Sequence, residues 1–161
     1  MKRASGPFEN ILSESLAKVL IGAMRPGRLF CAFRELWTWG MILAGGIGLL
    51  WSPNGQAPSF GYLLFAALVE ETTFRALLQN YAEAWWAERR TSPSGWLWKI
   101  LTPGNLAVSV LFALCHAFTQ SPLMAALTFF PSIGIGILWS RHRSLWLCFA
   151  VHAWYNMLFW Y

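Results

Sequence analysis

Glu70, Glu71 and Arg75 stand in the stretch LVEETTFRALLQ, inside a run from Ser59 to Leu78 that is otherwise apolar or small. Ionisable groups in a hydrocarbon setting cost at least about 2.5 kcal/mol each, so they are kept there for function or are tightly paired. Glu71 and Arg75 are four residues apart, share a helix face and can neutralise one another. That leaves Glu70 without a partner on its own helix. Two further apolar segments carry complementary groups at the same spacing, FALCH (Phe112 to His116) and HAWYN (His152 to Asn156). Taken singly, each histidine reads as a hydrogen-bonded core residue, and Glu-Glu-Arg as an ion pair that fixes packing. Taken together, a carboxylate pair, two histidines and an asparagine on three segments are the only strongly polar side chains expected well inside them. His142, in the basic stretch RHR, reads instead as a solvated loop residue.

The chemistry such a set supports is hydrolysis. A glutamate takes a proton from water, a histidine beside it orients that water, and a second histidine with an asparagine amide donates to a developing oxyanion. Two histidines and a glutamate also match the donor set of a catalytic zinc ion. No HExxH is present and the groups are spread over three segments, so the residues themselves leave zinc open. Serine chemistry is disfavoured, because no GxSx motif occurs and no obvious serine neighbours either histidine.

The elements that must position these residues are apolar throughout. Of 161 residues 57% are hydrophobic and only 12% charged, with 11 Trp, 12 Phe and a mean hydropathy of +0.44. Soluble domains carry about 25% charged residues. The expected fold is therefore all-α, a polytopic membrane helix bundle. Residues 1–28 read as an N-terminal amphipathic interfacial helix: Phe8, Ile11, Leu12, Leu16, Val19, Leu20 and Met24 recur at helical spacing, and Pro26-Gly27 ends it. Glu9 and Glu14 interrupt any continuous apolar core of a cleavable signal. Residues 29–161 form one transmembrane helical domain with five spans, at about Leu36 to Trp51, Ser59 to Trp86, Asn105 to Thr119, Pro122 to Ser140 and Leu145 to Tyr161. Cys31, Cys115 and Cys148 have no CxxC spacing and read as small core residues. Gly45, Gly46, Gly48, Gly134 and Gly136 are expected to allow close helix contact.

The net charge of +5 reports topology rather than nucleic acid, since no nucleic-acid-binding motif accompanies it. Of twelve Lys and Arg, eleven lie outside the apolar runs, and Arg75 is the exception. Basic and uncharged linkers alternate along five crossings, which places the N-terminus in the cytoplasm and Tyr161 outside. Counting about 1.5 Å per residue, Glu70 and Asn156 fall near mid-membrane, whereas His116 lies close to an outer loop and needs a tilted helix to join them.

In these residues the chain resembles the CPBP family, which groups CAAX proteases with bacteriocin-processing (Abi) membrane proteins. Its signatures EExxxR, FxxxH and HxxxN appear in order as EETTFR (Glu70 to Arg75), FALCH and HAWYN. The resemblance covers a core of about residues 60–159. It implies a glutamic-type intramembrane endopeptidase that needs no metal or other cofactor and resides in a bacterial plasma membrane. Carried over by position, Glu70 is the general base on water, assisted by His116. Glu71 and Arg75 support the site, while His152 and Asn156 form the oxyanion pocket. The implied partners are membrane lipid and a protein or peptide substrate, with no nucleic acid. The chain is shorter than the eukaryotic CAAX endopeptidases, so prenylated substrates do not follow. Its size and the FFPS before the fourth span's glycines look more like bacterial members associated with C-terminal protein-sorting signals. Two other functions fit less well: a non-enzymatic self-immunity factor would not need all four of Glu70, His116, His152 and Asn156, and a proton-coupled transporter lacks a second, symmetry-related half.

Overall fold

The computed structural model of the chain describes residues 21–25, 32–46, 57–89, 95 and 100–161, and their regular structure is entirely helical. Helix α1 is Leu36–Ala44. Helix α2, Phe60–Glu71, runs without a break into a π-helical segment, Thr72–Gln79, and then into α3, Asn80–Glu88. Helices α4 (Pro103–His116), α5 (Pro122–Leu127), α6 (Phe129–His142) and α7 (Leu145–Trp160) follow. The amphipathic helix expected over 1–28 lies largely outside the described residues, of which 21–23 are helical. Pro26-Gly27, Gly48 and Cys31 also lie outside them.

The helix starts are written locally. Ser59, Thr102, Ser121 and Ser144 each take extended backbone and accept a hydrogen bond from the amide three residues on, at Tyr62, Asn105, Met124 and Leu147. Pro103 and Pro122 occupy first-turn positions, where a missing N–H costs nothing. The end of α6 is less obvious. Arg143 stops it in the left-handed region at φ 48°. That conformation is uncommon for a residue with a Cβ, and Asn80 and Glu83 hold the guanidinium in place.

Two expected spans differ in detail. The fourth bends at Thr128, whose hydroxyl donates to the Ala125 carbonyl at 2.7 Å. Such back-bonding bends helices, and here it separates α5 from α6. Together they make Pro122–His142, 21 residues with mean hydropathy 1.7, which among the described residues is the helix long and apolar enough to cross a membrane. In the first, α1 ends at Ala44 and passes into a tighter turn at Gly45 and Gly46, and the rest of the expected span, 47–51, lies outside the described residues.

The pattern of burial is inverted relative to a water-soluble bundle. Leu36 and Phe118 are 87% and 88% exposed, while Glu71, Arg75, Gln79, Asn105 and Ser109 are wholly buried. The apolar core joins Ile135, Leu138, Trp139, Leu145, Leu147, Cys148 and Val151 to Ala76. Helix α6 packs along α4, and α7 along α2.

Close approach relies on missing side chains at four of the described glycines, 45, 104, 134 and 136; at Gly104 a Cβ would lie 2.9 Å from the Glu83 backbone nitrogen. A Cβ on Gly136 would overlap Asn105 Oδ1, one on Gly134 would overlap the Met41 methyl, and one on Gly45 would lie 2.6 Å from the Tyr155 ring. Gly136→Ala should therefore lower stability by about 1–3 kcal/mol, the usual cost of overpacking. Gly61→Ala, where a Cβ meets nothing within 4 Å, should not destabilise, since alanine is the better helix former. Thermal unfolding of the two variants in one detergent checks the contrast.

Candidate active site

The π-helical segment begins immediately after Glu71. In an α-helix, positions four apart drift by about 40° around the axis, because a turn takes about 3.6 residues. Bonding from i to i+5 widens the turn and drives the drift the other way. Alternating the two kinds of turn keeps Glu71, Arg75, Gln79 and Glu83 in one row pointing into the bundle. Along it, Arg75 Nε donates to Glu71 Oε2 at 3.3 Å, Arg75 Nη1 to Gln79 Oε1 at 3.1 Å, and Gln79 Nε2 to Glu83 Oε1 at 2.9 Å.

Helix α7 meets the top of this row. His152 Nδ1 lies 2.7 Å from Glu71 Oε1, and its Nε2 lies 3.6 Å from Glu70 Oε2. The carboxylate of Glu71 can only accept, so the short contact places a proton on Nδ1. The two neighbouring glutamates thus sit in different surroundings. Glu71 is completely buried with both oxygens engaged, whereas the Glu70 side chain is 30% exposed. The contact of Glu70 with His152 is longer than a hydrogen bond.

Phe112, the first residue of FALCH, contacts both imidazoles. Its ring lies 4.3 Å from that of His116 and 6.0 Å, edge-on, from that of His152, and it stands 5.0 Å from Phe74. The Arg75 guanidinium sits 5.9 Å from the same ring, within reach of its π face. His116 Nδ1 is 2.9 Å from the Phe112 carbonyl. That carbonyl is an obligate acceptor, so in the neutral imidazole tautomer this contact selects, Nε2 is the acceptor. His116, His152 and Asn156 all line a cavity of about 640 Å³ whose other walls include Phe112, Met124, Phe130, Tyr155 and Trp160. Glu70 is not among the lining residues, and no contact joins it directly to His116 among the described residues. The half-buried Asn156 makes no hydrogen bond among the described residues.

The set of buried polar groups is larger than the sequence suggested. Arg75 Nη2 donates to Ser132 Oγ at 2.7 Å; Ser132 donates to Ser109 at 3.1 Å, and Ser109 to Asn105 Oδ1 at 3.1 Å. Asn105 Nδ2 closes the chain on the Ile133 carbonyl at 3.0 Å. Lower down, Glu83 collects Thr102, Ser140 and Arg143. The expectation that only five polar residues lie deep in the spans is thus corrected: Gln79, Asn105 and their serine partners join them. Buried charge demands this, since each donor of an Arg or Gln taken from water needs an acceptor. The four-residue spacing from Glu71 to Glu83 was the available signal, and no local pattern marks the serines. His142 also departs from its solvated reading, being half-buried with Nε2 at 3.6 Å from Glu35.

Among the described residues, no group of three or more His, Cys, Asp and Glu side chains is arranged to hold a metal ion. Cys115 and Cys148 are free thiols, the first exposed and the second buried. A family model described as type II CAAX prenyl endopeptidase Rce1-like matches residues 36–158. Comparisons with curated proteins and with solved structures return no match.

Proposed function

Because the chain belongs to the type II CAAX prenyl endopeptidase Rce1-like family, whose members are membrane-embedded proteases, we propose that it is a glutamic-type enzyme hydrolysing a peptide bond close to the membrane. The observation that carries this reading is His152 held between two adjacent carboxylates of unequal exposure. Glu71, with its two oxygens engaged by Arg75 and His152, orients the imidazole. The Glu70 side chain is 30% exposed and makes no hydrogen bond among the described residues. It is the group left to take a proton from water.

The attacking water gives its oxygen to the carbonyl carbon and one proton to Glu70, which later delivers that proton to the departing amine. Asn156 Nδ2 and His152 Nε2 donate to the oxyanion formed between those steps. His152 already carries a proton on Nδ1, so donation from Nε2 needs a second one. Glu71 and Glu70 are the two carboxylates that face its two ring nitrogens, at 2.7 and 3.6 Å. His116, which lines the cavity, orients the water. The gap between Glu70 and His152 is 3.6 Å. Apo enzymes commonly hold catalytic contacts this loosely.

The bundle crosses a bacterial plasma membrane five times, with its N-terminus in the cytoplasm and its C-terminus outside. The substrate is a membrane-associated protein, and FFPS before Gly134 favours processing of a C-terminal sorting tail or a propeptide. The test is cleavage of a co-expressed candidate substrate by wild type and Asn156→Ala at matched membrane levels, with and without a chelator. Removing one oxyanion donor should slow cleavage by about 10²–10³-fold, and chelation should change nothing. Loss of wild-type cleavage on chelation, restored by zinc, would move these residues into a metal shell instead.

A further inference from the structure

The site and the basic residues occupy opposite ends of the bundle. At one end, Arg141 donates twice to Glu35, just before α1, at 2.9 and 2.6 Å. Glu83 there holds Arg143 and the cap of α4, Thr102, and Arg89 lies 3.6 Å over the Trp85 ring. Arg34, Arg90 and Lys99 fall in the sequence linkers that lead to the same helix ends. At the other end, Tyr161 donates to the Pro58 carbonyl at 2.8 Å, and the linkers 45–59 and 117–121 hold no charged residue.

The cavity lies wholly in the second end. Helix α1 contributes only its last residues to it, α4 its last turns, α6 its first half and α7 its second half, and no residue of α3 is present. His152 forms its deep part; Gln120, in the uncharged loop after α4, and Trp160, the last residue of α7, stand at its outer part. The amide of Asn156, lacking any protein partner among the described residues, lies between. Among the described residues, no Lys, Arg, Asp or Glu lines it.

Linkers rich in Lys and Arg stay on the cytoplasmic side of a membrane. We infer that the cavity opens toward the outer leaflet, and that its substrate is a membrane-anchored polypeptide whose scissile bond lies in the outer half of the bilayer. An apolar wall of Met124, Leu127, Phe130 and Phe159 suits the end of a hydrophobic segment, and the uncharged rim excludes nothing by charge. The inference rests on the proposed catalytic roles only for calling the occupant a substrate; the side of access stands on placement of charge and cavity.

Single cysteines test it in a chain carrying Cys31→Ser, Cys115→Ser and Cys148→Ala. Gln120→Cys, Asn156→Cys and Arg89→Cys are each treated with a membrane-impermeant cationic methanethiosulfonate, in spheroplasts and in inverted vesicles. The expected result is modification at 120 and 156 in spheroplasts alone, and at 89 in inverted vesicles alone. Modification at 156 in inverted vesicles alone, or in neither preparation, overturns the inference, as does modification at 89 in spheroplasts. Position 120, in a loop, reports the same side should the substitution at 156 prevent folding. The labelling uses no catalysis, so the expected labelling together with failure of the wild-type chain to cut a substrate would defeat the protease reading and leave the side of access intact.

Discussion

Glu70→Gln should cut about 10²–10⁴-fold more slowly than wild type, the range associated with losing a positioned general base. Its thermal unfolding should stay near that of wild type. The reason is the environment of Glu70. The side chain is 30% exposed and its nearest polar contact is His152 Nε2 at 3.6 Å. An amide of the same shape therefore leaves no buried charge stranded. Cleavage of a verified substrate at the wild-type rate by this variant would remove Glu70 from the role of base. Single-turnover kinetics in a reconstituted membrane would separate that loss from weakened binding.

Removing Glu71 should fail in a different way. Its carboxylate and the Arg75 guanidinium are both without solvent exposure, joined at 3.3 Å, and the second oxygen holds His152 at 2.7 Å. Glu71→Leu strands the guanidinium, and breaking a buried pair from one side costs about 3–5 kcal/mol. The variant should accumulate poorly and unfold at lower temperature, in contrast to Glu70→Gln. The double variant Glu71→Leu/Arg75→Met should recover part of that stability, because no lone charge remains. It should stay inactive, since His152 then has nothing to orient it. Unfolding in detergent of the two singles and the double tests the coupling. A double variant no more stable than Glu71→Leu would mean the pair does not act as a unit, and the serine and glutamine partners of Arg75 would then carry the packing.

The two neighbouring glutamates were indistinguishable by pattern, except that Glu71 alone is four residues from Arg75. Their separation in the structure follows from helix geometry. Consecutive residues point about 100° apart, so Glu71 faces the bundle and Glu70 turns toward α7 and the surface. Phe112 shows the same limit. Its spacing to His116 was plain in the sequence, but its contact with the His152 ring on α7 was not.

By itself the sequence determined the chemistry available and the solvent: apolar segments, the polar residues set within them at four-residue spacing, the capping residues that start helices at Ser59, Thr102, Ser121 and Ser144, and the alternation of basic and uncharged linkers. These are local properties, written in residue type and short-range period. Only the tertiary structure decided which polar groups meet. It joined His152 to Glu71 across 81 positions and Arg75 to Ser132 across 57, gave Gln79 and Asn105 their acceptors, and gathered His116 with Asn156 on one cavity. The physical reason is that a buried donor must be satisfied, but nothing local states by which chain segment. That choice is made by packing, here by glycines at 134 and 136 that let α6 close on its neighbours until the side chains come within reach.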